Sequence, residues 1–458
     1  MKKIIEAHNI VLNILGKAKR RNSGYRMMKY CISKETEDGI LLFNVLTREL
    51  LLLSEEEYEG KLESEYLKER WFIVPEEVNE KDYVEMVSWV LASKRSNFEF
   101  ITNYTILTTT DCNARCFYCF ERGRSRIPMS AETACKVADF IKKHHGGKKV
   151  NISWFGGEPL MNYQVIDLIS EKLCEENIPY SSVITTNGYL FDDKLIEKAT
   201  KKWNTGSVQI TLDGTEQVYN RIKAYVNIEE SAYQMVMNNI NKLLDAGIFV
   251  AIRLNMDLHN AEDLFQLADE LISRFADQSN LKVYPYLLID EHRSWDERHT
   301  QEESKVLYEK FSKLQDKFQV NGMGRSTLYR VKRKFAVNHC KVDDGKSVLI
   351  APDGHLGLCE HYTESEFFGH LDSEDWDYDM IESWRQKREE LPECADCVAY
   401  PECKVPKKCQ GRQKCSAYER SDIQRRIEQT ILNEFHYWKN QIVLKEQENC
   451  SVCNTTGD

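Results

Sequence analysis

Cysteine placement constrains this chain more than any other feature. Of its fifteen cysteines, three lie in the run Cys112-x3-Cys116-x2-Cys119. Seven more crowd one stretch: Cys340, Cys359, Cys394, Cys397, Cys403, Cys409 and Cys415. Soft thiolates at such spacings suit zinc or iron–sulfur chemistry. Three of them on one loop can hold three irons of a four-iron cluster and leave the fourth open for a ligand. Where clusters hold the chain together, a hydrophobic core is partly replaced.

At 458 residues the chain exceeds what one core usually organises, which predicts about two or three domains. A net charge of −11 argues against general affinity for a nucleic-acid backbone. The most apolar N-terminal run, Ile40 to Leu53, contains Asn44, Thr47, Arg48 and Glu49 and is too short for a bilayer. A disulfide framework normally belongs to much smaller chains, so close cysteine pairs here read as metal sites in a reducing compartment. The expectation is a cytoplasmic protein of an anaerobic host, with no membrane and no nucleic-acid partner.

Residues 1–22 are basic and helix-compatible. Strand-like Tyr25–Cys31, a charged turn at Lys34–Gly39 and strand-like Ile40–Val45 follow, then Glu49–Leu53. Ser54-x-x-Glu57 is a capping-box pattern opening a helix. Helices are predicted near 62–70 and over Glu80–Ala92, giving a compact winged-helix-like unit. From Tyr104 the period changes to βα units. Strands are predicted at Tyr104–Thr109, Val150–Trp154, Ser182–Thr186, Val208–Leu212, Phe249–Asn255 and Leu281–Tyr286, with helical patterns near 130–145, 163–176, 191–201, 232–246 and 262–274. Six units predict an α/β fold with a partial barrel, its ligands at the C-terminal ends of the strands. A polar helical connector near 298–319, a cysteine-rich part with little periodicity and a helix over Ser421–Glu448 complete the chain. Cys31, Cys135 and Cys174 sit in apolar segments and read as small buried hydrophobes.

For the first cysteine set, a zinc ribbon or a cluster completed by a distant cysteine competes with an open-iron cluster. Cys112-x3-Cys116-x-aromatic-Cys119 after a first barrel strand resembles the radical S-adenosylmethionine superfamily. Its further motifs follow in family order. Gly156-Gly157-Glu158-Pro159 resembles the motif for the methionyl amine; two glycines permit close backbone approach, and a carboxylate accepts from an ammonium. Thr186-Asn187-Gly188 resembles the third-strand end near the ribose, and Gln209-x3-Asp213-Gly214 the fourth-strand segment. The resemblance implies that Tyr118 packs beside the adenine and Arg221 meets the cofactor carboxylate. Arg253 and Asn255 alternate on the fifth strand and are expected to face the same cavity. It further implies a [4Fe-4S] cluster, S-adenosylmethionine, and an electron donor such as flavodoxin or ferredoxin.

A zinc module is the competing reading of the seven later cysteines. They resemble the SPASM domain of peptide-modifying members. By that resemblance Cys394, Cys397, Cys403 and Cys415 ligate a distal auxiliary cluster, and Cys340, Cys359 and Cys409 a nearer one. The fourth ligand of the nearer cluster is absent from its usual position, leaving an open iron, His339, Cys450 or Cys453. Residues 23–95 resemble the peptide-recognition domain of ribosomal-peptide maturases, with a leader adding a strand beside Ile40–Val45 and resting near 62–70. The implied organisation is recognition domain 1–95, barrel 96–297, connector 298–338, SPASM domain 339–420 and tail 421–458. The implied activity is thioether crosslinking of a ribosomally made precursor peptide. Carbon–carbon crosslinking, sulfatase maturation (with Glu360 as a possible base) and a zinc-binding peptide-interaction module are the alternatives.

Overall fold

The computed structural model describes the chain apart from residues 17–23, 94–97, 227, 229–230, 289–297, 325–330, 332–334, 336–339, 363, 404, 410–414, 416 and 454–458. The N-terminal unit opens with a strand, not with the predicted helix: β1 (Lys2–Ile5) precedes α1 (Asn9–Leu15). Then come β2 (Tyr25–Met27), β3 (Cys31–Thr36), β4 (Gly39–Asn44) and β5 (Leu50–Leu53). The run predicted as one strand, Tyr25–Cys31, is therefore split. β2 pairs with β6 (Ile73–Pro75), while β3 joins an antiparallel sheet of order β1-β5-β4-β3.

This order corrects the expected seat of a leader strand. β4 lies between β3 and β5, so neither of its edges is open. Leu41, Leu42 and Phe43 are buried, so both faces of β4 are covered as well, as befits a central strand. Lys2 and Lys3, exposed, mark β1 as an edge.

The capping box forms as predicted at α2 (Glu55–Glu59). Glu57 N donates to Ser54 Oγ at 3.2 Å and Ser54 N to Glu57 Oε2 at 2.9 Å. The helix expected over 62–70 shrinks to α3 (Glu65–Glu69), because Ser64 caps a fresh start through Leu67 N. α4 (Glu80–Ala92) has the predicted bounds.

Six parallel strands follow: β7 (Asn103–Thr109), β8 (Val150–Gly156), β9 (Tyr180–Thr186), β10 (Thr205–Leu212), β11 (Phe249–Met256) and β12 (Leu281–Leu287). Between them run α5 (Ala131–His144), α6 (Tyr163–Glu175), α7 (Asp193–Lys201), α8 (Glu216–Lys223), α9 (Ala232–Asp245) and α10 (Ala261–Phe275). α8 is the one helix of this set that the pattern did not predict. The strands lie in chain order, as an open, singly wound barrel requires.

The cysteine-rich region does not stand apart from this sheet. β13 (Ser347–Ile350) pairs in parallel with β7, and β14 (His355–Gly357) and β15 (Gly369–His370) extend it to nine strands. Lys341 Nζ reaches Thr105 Oγ1 on β7 at 3.2 Å and pairs with Glu360. Cys359 is thereby carried to the flank of the strand that leads into the first cysteine loop.

Two cores result. One fills the barrel; the other joins the N-terminal unit to Tyr400, Ile431 and Phe435, with Cys394 and Cys397 packed against it. Ile431 and Phe435 belong to the C-terminal helix Ala417–Cys453, which runs beyond both predicted ends. Tyr30 stacks on Tyr400 with ring centres 5.8 Å apart, and buried Arg48 meets Glu402 at 2.9 Å. Cys31 is buried as expected, but Cys135 is only half-buried and Cys174 is exposed near the end of α6.

The Arg48–Glu402 pair gives a direct check of this second core. Glu402→Ala removes the carboxylate from a buried guanidinium, which is expected to cost about 3 kcal/mol in denaturant unfolding. A conservative exchange at an exposed pair such as Lys201–Glu197 is expected to cost well under about 1 kcal/mol.

Candidate active site

The first cysteine loop leaves β7 over two glycines. Gly157 N donates to Thr109 O at 3.0 Å and Glu158 N to Asp111 O at 2.9 Å. A Cβ on Gly156, which has φ +121°, would stand 2.1 Å from Thr109 O. On Gly157 it would stand 2.3 Å from Asp111 O. Both distances are forbidden to a side chain, so the glycines exist to let one loop backbone lie on another. Asp111 Oδ1 then accepts from Cys112 N at 2.8 Å, and Ala114 N points at Cys112 Sγ at 3.3 Å.

Glu158 is fully buried. Its oxygens accept from Thr186 Oγ1 at 2.8 and 2.9 Å, Asn187 N at 2.8 Å and Leu160 N at 3.1 Å. Burial pushes its carboxyl up to about 7. The carboxylate thus ties Gly156–Pro159 to Thr186–Gly188, a bracing role that the sequence reading did not give it. Pro159 O accepts from Thr108 Oγ1 at 2.9 Å, closing the same bracket on β7. Asn187 Nδ2 donates to Asn113 Oδ1 at 2.7 Å, joining the third-strand turn to the cysteine loop, while Asn113 Nδ2 is buried without a partner.

Tyr118 turns inward. Its hydroxyl lies 2.9 Å from both Asp213 oxygens and accepts from Lys223 Nζ at 3.1 Å. Lys223 pairs with Asp213 Oδ2 at 3.0 Å, and the two side chains are only 4% and 1% exposed. Burial opposes a charged lysine, yet the charge of Asp213 beside it raises Lys223 and keeps it protonated. Arg221, the cation expected here, is exposed and is not brought to the group. Two helical steps rotate position 223 about 200° from position 221, so one faces solvent when the other faces in. Helical phase after Asp213-Gly214 was the signal that could have found Lys223.

Arg253 Nε donates to Asn255 Oδ1 at 2.9 Å, and its guanidinium lies 3.7 Å from the Tyr286 ring centre. Gln209 Oε1 accepts from Tyr284 OH at 2.6 Å across Ala251, small enough to let β10 and β12 side chains meet over β11. These residues share one sheet face by strand parity.

The three thiols lie in one another's field. Burial pushes Cys112 up to about 12, helped by the charges of Glu158, Cys116 and Cys119. Burial also raises Cys116 and Cys119. Three thiolates crowded in a low dielectric call for a cation, and an iron–sulfur cluster fits that donor set. Among the described residues, no three of His, Cys, Asp and Glu are placed to share a single metal ion. A cubane takes each thiolate on a different iron, which spreads its ligands further than one ion would.

The later cysteines separate into two groups. Cys394, Cys397, Cys403 and Cys415 line one cavity of about 150 Å³ together with Arg388 and Tyr400. Cys340 is raised by burial and then by Cys409, and Cys359 by burial and, among the charges around it, by Cys340, which makes those three neighbours. His339 and the side chains of Cys450 and Cys453 lie outside the described residues. The first loop touches the Cys359 segment directly: Phe120 packs on His361 at 4.5 Å, and Arg124 Nη2 donates to Tyr362 O at 2.6 Å.

Known proteins agree with this geometry. The model of the Radical SAM superfamily matches residues 106–271. A probable GTP 3′,8-cyclase of Methanocaldococcus jannaschii is 27% identical over 275 residues, 57% of this chain and 85% of that protein. For the Archaeoglobus fulgidus counterpart the figure is 32% over 161 residues, 34% of this chain and only 49% of that protein. Among solved structures, anSMEcpe with bound AdoMet superposes with a TM-score of 0.58 at 14% identity, covering 74% of this chain and 100% of that one. Streptococcus suis SuiB bound to its precursor peptide SuiA gives 0.50 at 14% identity, covering 83% and 94%. These structures share the fold. The segment that matches the Radical SAM superfamily model, residues 106–271, contains the cysteine loop and five of the six barrel strands, most of β7 among them.

Proposed function

We propose that the enzyme is a peptide maturase that forms a cysteine-sulfur-to-carbon thioether in a ribosomally made precursor peptide. The observation that carries this reading is the direct contact between the first cysteine loop and the Cys359 segment, through Phe120–His361 and Arg124–Tyr362. It brings the first cysteine loop against the segment that carries Cys359, and in this reading three protein thiolates on a four-iron cluster leave one iron for a substrate thiolate. The solved structures with peptide bound, anSMEcpe with Cp18Cys peptide and SuiB with SuiA, share the fold and support a peptide substrate.

Cys112, Cys116 and Cys119 hold the reducible [4Fe-4S] cluster in this reading. S-adenosylmethionine held there would supply, on one-electron reduction, the radical chemistry that removes a hydrogen from the substrate. The chain's own residues fix the site. Gly156 and Gly157 seat the loop, Glu158 braces it, Asn187 ties it to the third-strand turn, and Gln209, Arg253 and Asn255 line one face of the sheet beside it. Lys223 takes the inward cationic position in place of Arg221. Cys394, Cys397, Cys403 and Cys415 hold the distal auxiliary cluster, and Cys340, Cys359 and Cys409 the nearer one.

The leader seat moves from β4 to the open edge of β3. There Cys31, Ile32 and Ser33 face Asp396, Cys397 and the C-terminal-helix residues Gln424 and Glu428 across a cleft of about 710 Å³. A strand added to β3 satisfies its free backbone groups. No helix among the described residues is long and apolar enough to cross a membrane.

Three outcomes test this reading. Reconstituted, reduced enzyme is expected to release 5′-deoxyadenosine, and coexpressed precursor peptide to lose two hydrogens and one free thiol per crosslink by mass spectrometry; a peptide with an unchanged thiol count contradicts the thioether. Gly157→Ala is expected to lower bound iron by one cluster's worth, whereas Gly206→Ala, whose Cβ would find its nearest atom at 3.9 Å, leaves iron unchanged. Gln424→Trp fills the β3 cleft and is expected to weaken leader binding about tenfold or more in fluorescence anisotropy, with peptide-free 5′-deoxyadenosine formation intact.

A further inference from the structure

Two arginines line the small cavity that gathers Cys394, Cys397, Cys403 and Cys415. Arg388 Nη2 donates to Cys403 Sγ at 3.8 Å, and the same side chain hydrogen-bonds Cys415. Arg420 Nη1 donates to Cys415 O at 3.3 Å. Both arginines are half-buried. A cation is therefore set on the thiols themselves, and a second stands behind it.

The backbone fixes this placement. Arg388 N donates to Val405 O at 3.1 Å and Lys407 N to Gln386 O at 2.7 Å, the two bonds that flank an antiparallel bridge between Lys387 and Pro406. Lys387 then pairs with Asp343, whose N–H donates to Cys340 O at 3.0 Å. One short segment thus serves both cysteine groups, Lys387 tied to the nearer and Arg388 reaching the distal. Of the acids on the cavity, Glu390 is engaged by Lys81 at 2.6 Å and by the Tyr400 hydroxyl at 2.8 Å, and Glu389 is exposed. Glu419 acts on the group more directly: after burial it pushes Cys415 up, while Arg388 and Arg420 pull that thiol back. Burial opposes a charge on Arg388, yet the thiolates of Cys403 and Cys415 favour it.

Four thiolates on a cubane make an anion, and reduction adds one more negative charge. Hydrogen bonds to the sulfurs and a fixed positive charge beside them favour the reduced form and raise the potential. Arginine keeps its charge wherever the protein is folded, so the bias is permanent. We propose that Arg388, with Arg420 behind it, sets the reduction potential of the distal cluster and holds it higher than four-cysteine ligation alone would. The inference rests on the reading that Cys394, Cys397, Cys403 and Cys415 hold that cluster. Arg388 is a positioning residue that acts through the sulfurs of Cys403 and Cys415.

The test is an anaerobic redox titration of the full-length, reconstituted enzyme, followed by electron paramagnetic resonance. The distal signal is the one lost in Cys403→Ala. Arg388→Gln keeps an amide donor and removes the charge; it is expected to disfavour reduction about tenfold, a fall of about 59 mV for one electron, with iron content unchanged. Arg388→Lys is expected to restore most of the shift, and Arg420→Gln to move the potential the same way by less. An unchanged potential in Arg388→Gln overturns the proposal, and so does an equal fall in Arg388→Lys, because the charge then contributes nothing. Loss of the distal cluster's iron in Arg388→Gln overturns it as well, since the residue then holds the cluster rather than tuning it. If Cys403→Ala removes no iron signal from the enzyme, the reading of the four cysteines falls, and the proposal with it.

Discussion

The site depends on one backbone laid on another. Gly157 N to Thr109 O and Glu158 N to Asp111 O hold the cysteine loop at the end of β7, at a separation only glycine permits. Glu158 then passes the constraint on, through Thr186 and Asn187 to the third-strand turn and from Asn187 to Asn113 in the loop itself. The loop is braced from β7, β8 and β9 at once. Three thiols that burial and mutual charge would drive apart are kept on one small arc.

The buried charges under the loop form a second layer. Asp213, Lys223 and Tyr118 satisfy one another in a region that water hardly reaches. Such a pair is costly to bury and strongly destabilising to break, so it specifies position more than it adds stability. The N-terminal unit is coupled elsewhere, to the distal cysteine group through the Tyr400 core and Arg48–Glu402. The N-terminal unit and the Cys394–Cys397 segment therefore share one packed body.

Much of this was legible in the residues. The six barrel strands carry Val- and Ile-rich runs bounded by turns, and each appears within a few residues of its predicted place. The capping box at Ser54 and Glu57 is local chemistry and forms as read. What was not legible depends on non-local pairing. Nothing in Ile40–Val45 says that strands will cover both of its edges, and nothing in Ser347–Ile350 says that it will lie beside β7. Arg221 and Lys223 are interchangeable by charge; only the phase of α8 separates them. Glu158 carries a family motif, yet its bracing role rests on Thr186 and Asn187, about thirty residues away in sequence.

The central claim is that Cys112, Cys116 and Cys119 leave one iron of their cluster free to be chelated by the methionyl amine and carboxylate of S-adenosylmethionine. Electron–nuclear double resonance on the reduced enzyme, with ¹⁵N in that amine and ¹⁷O in that carboxylate, reads this directly. The account predicts hyperfine coupling of both nuclei to the cluster spin, lost in Cys116→Ala. A reduced cluster at this loop that shows neither coupling contradicts it.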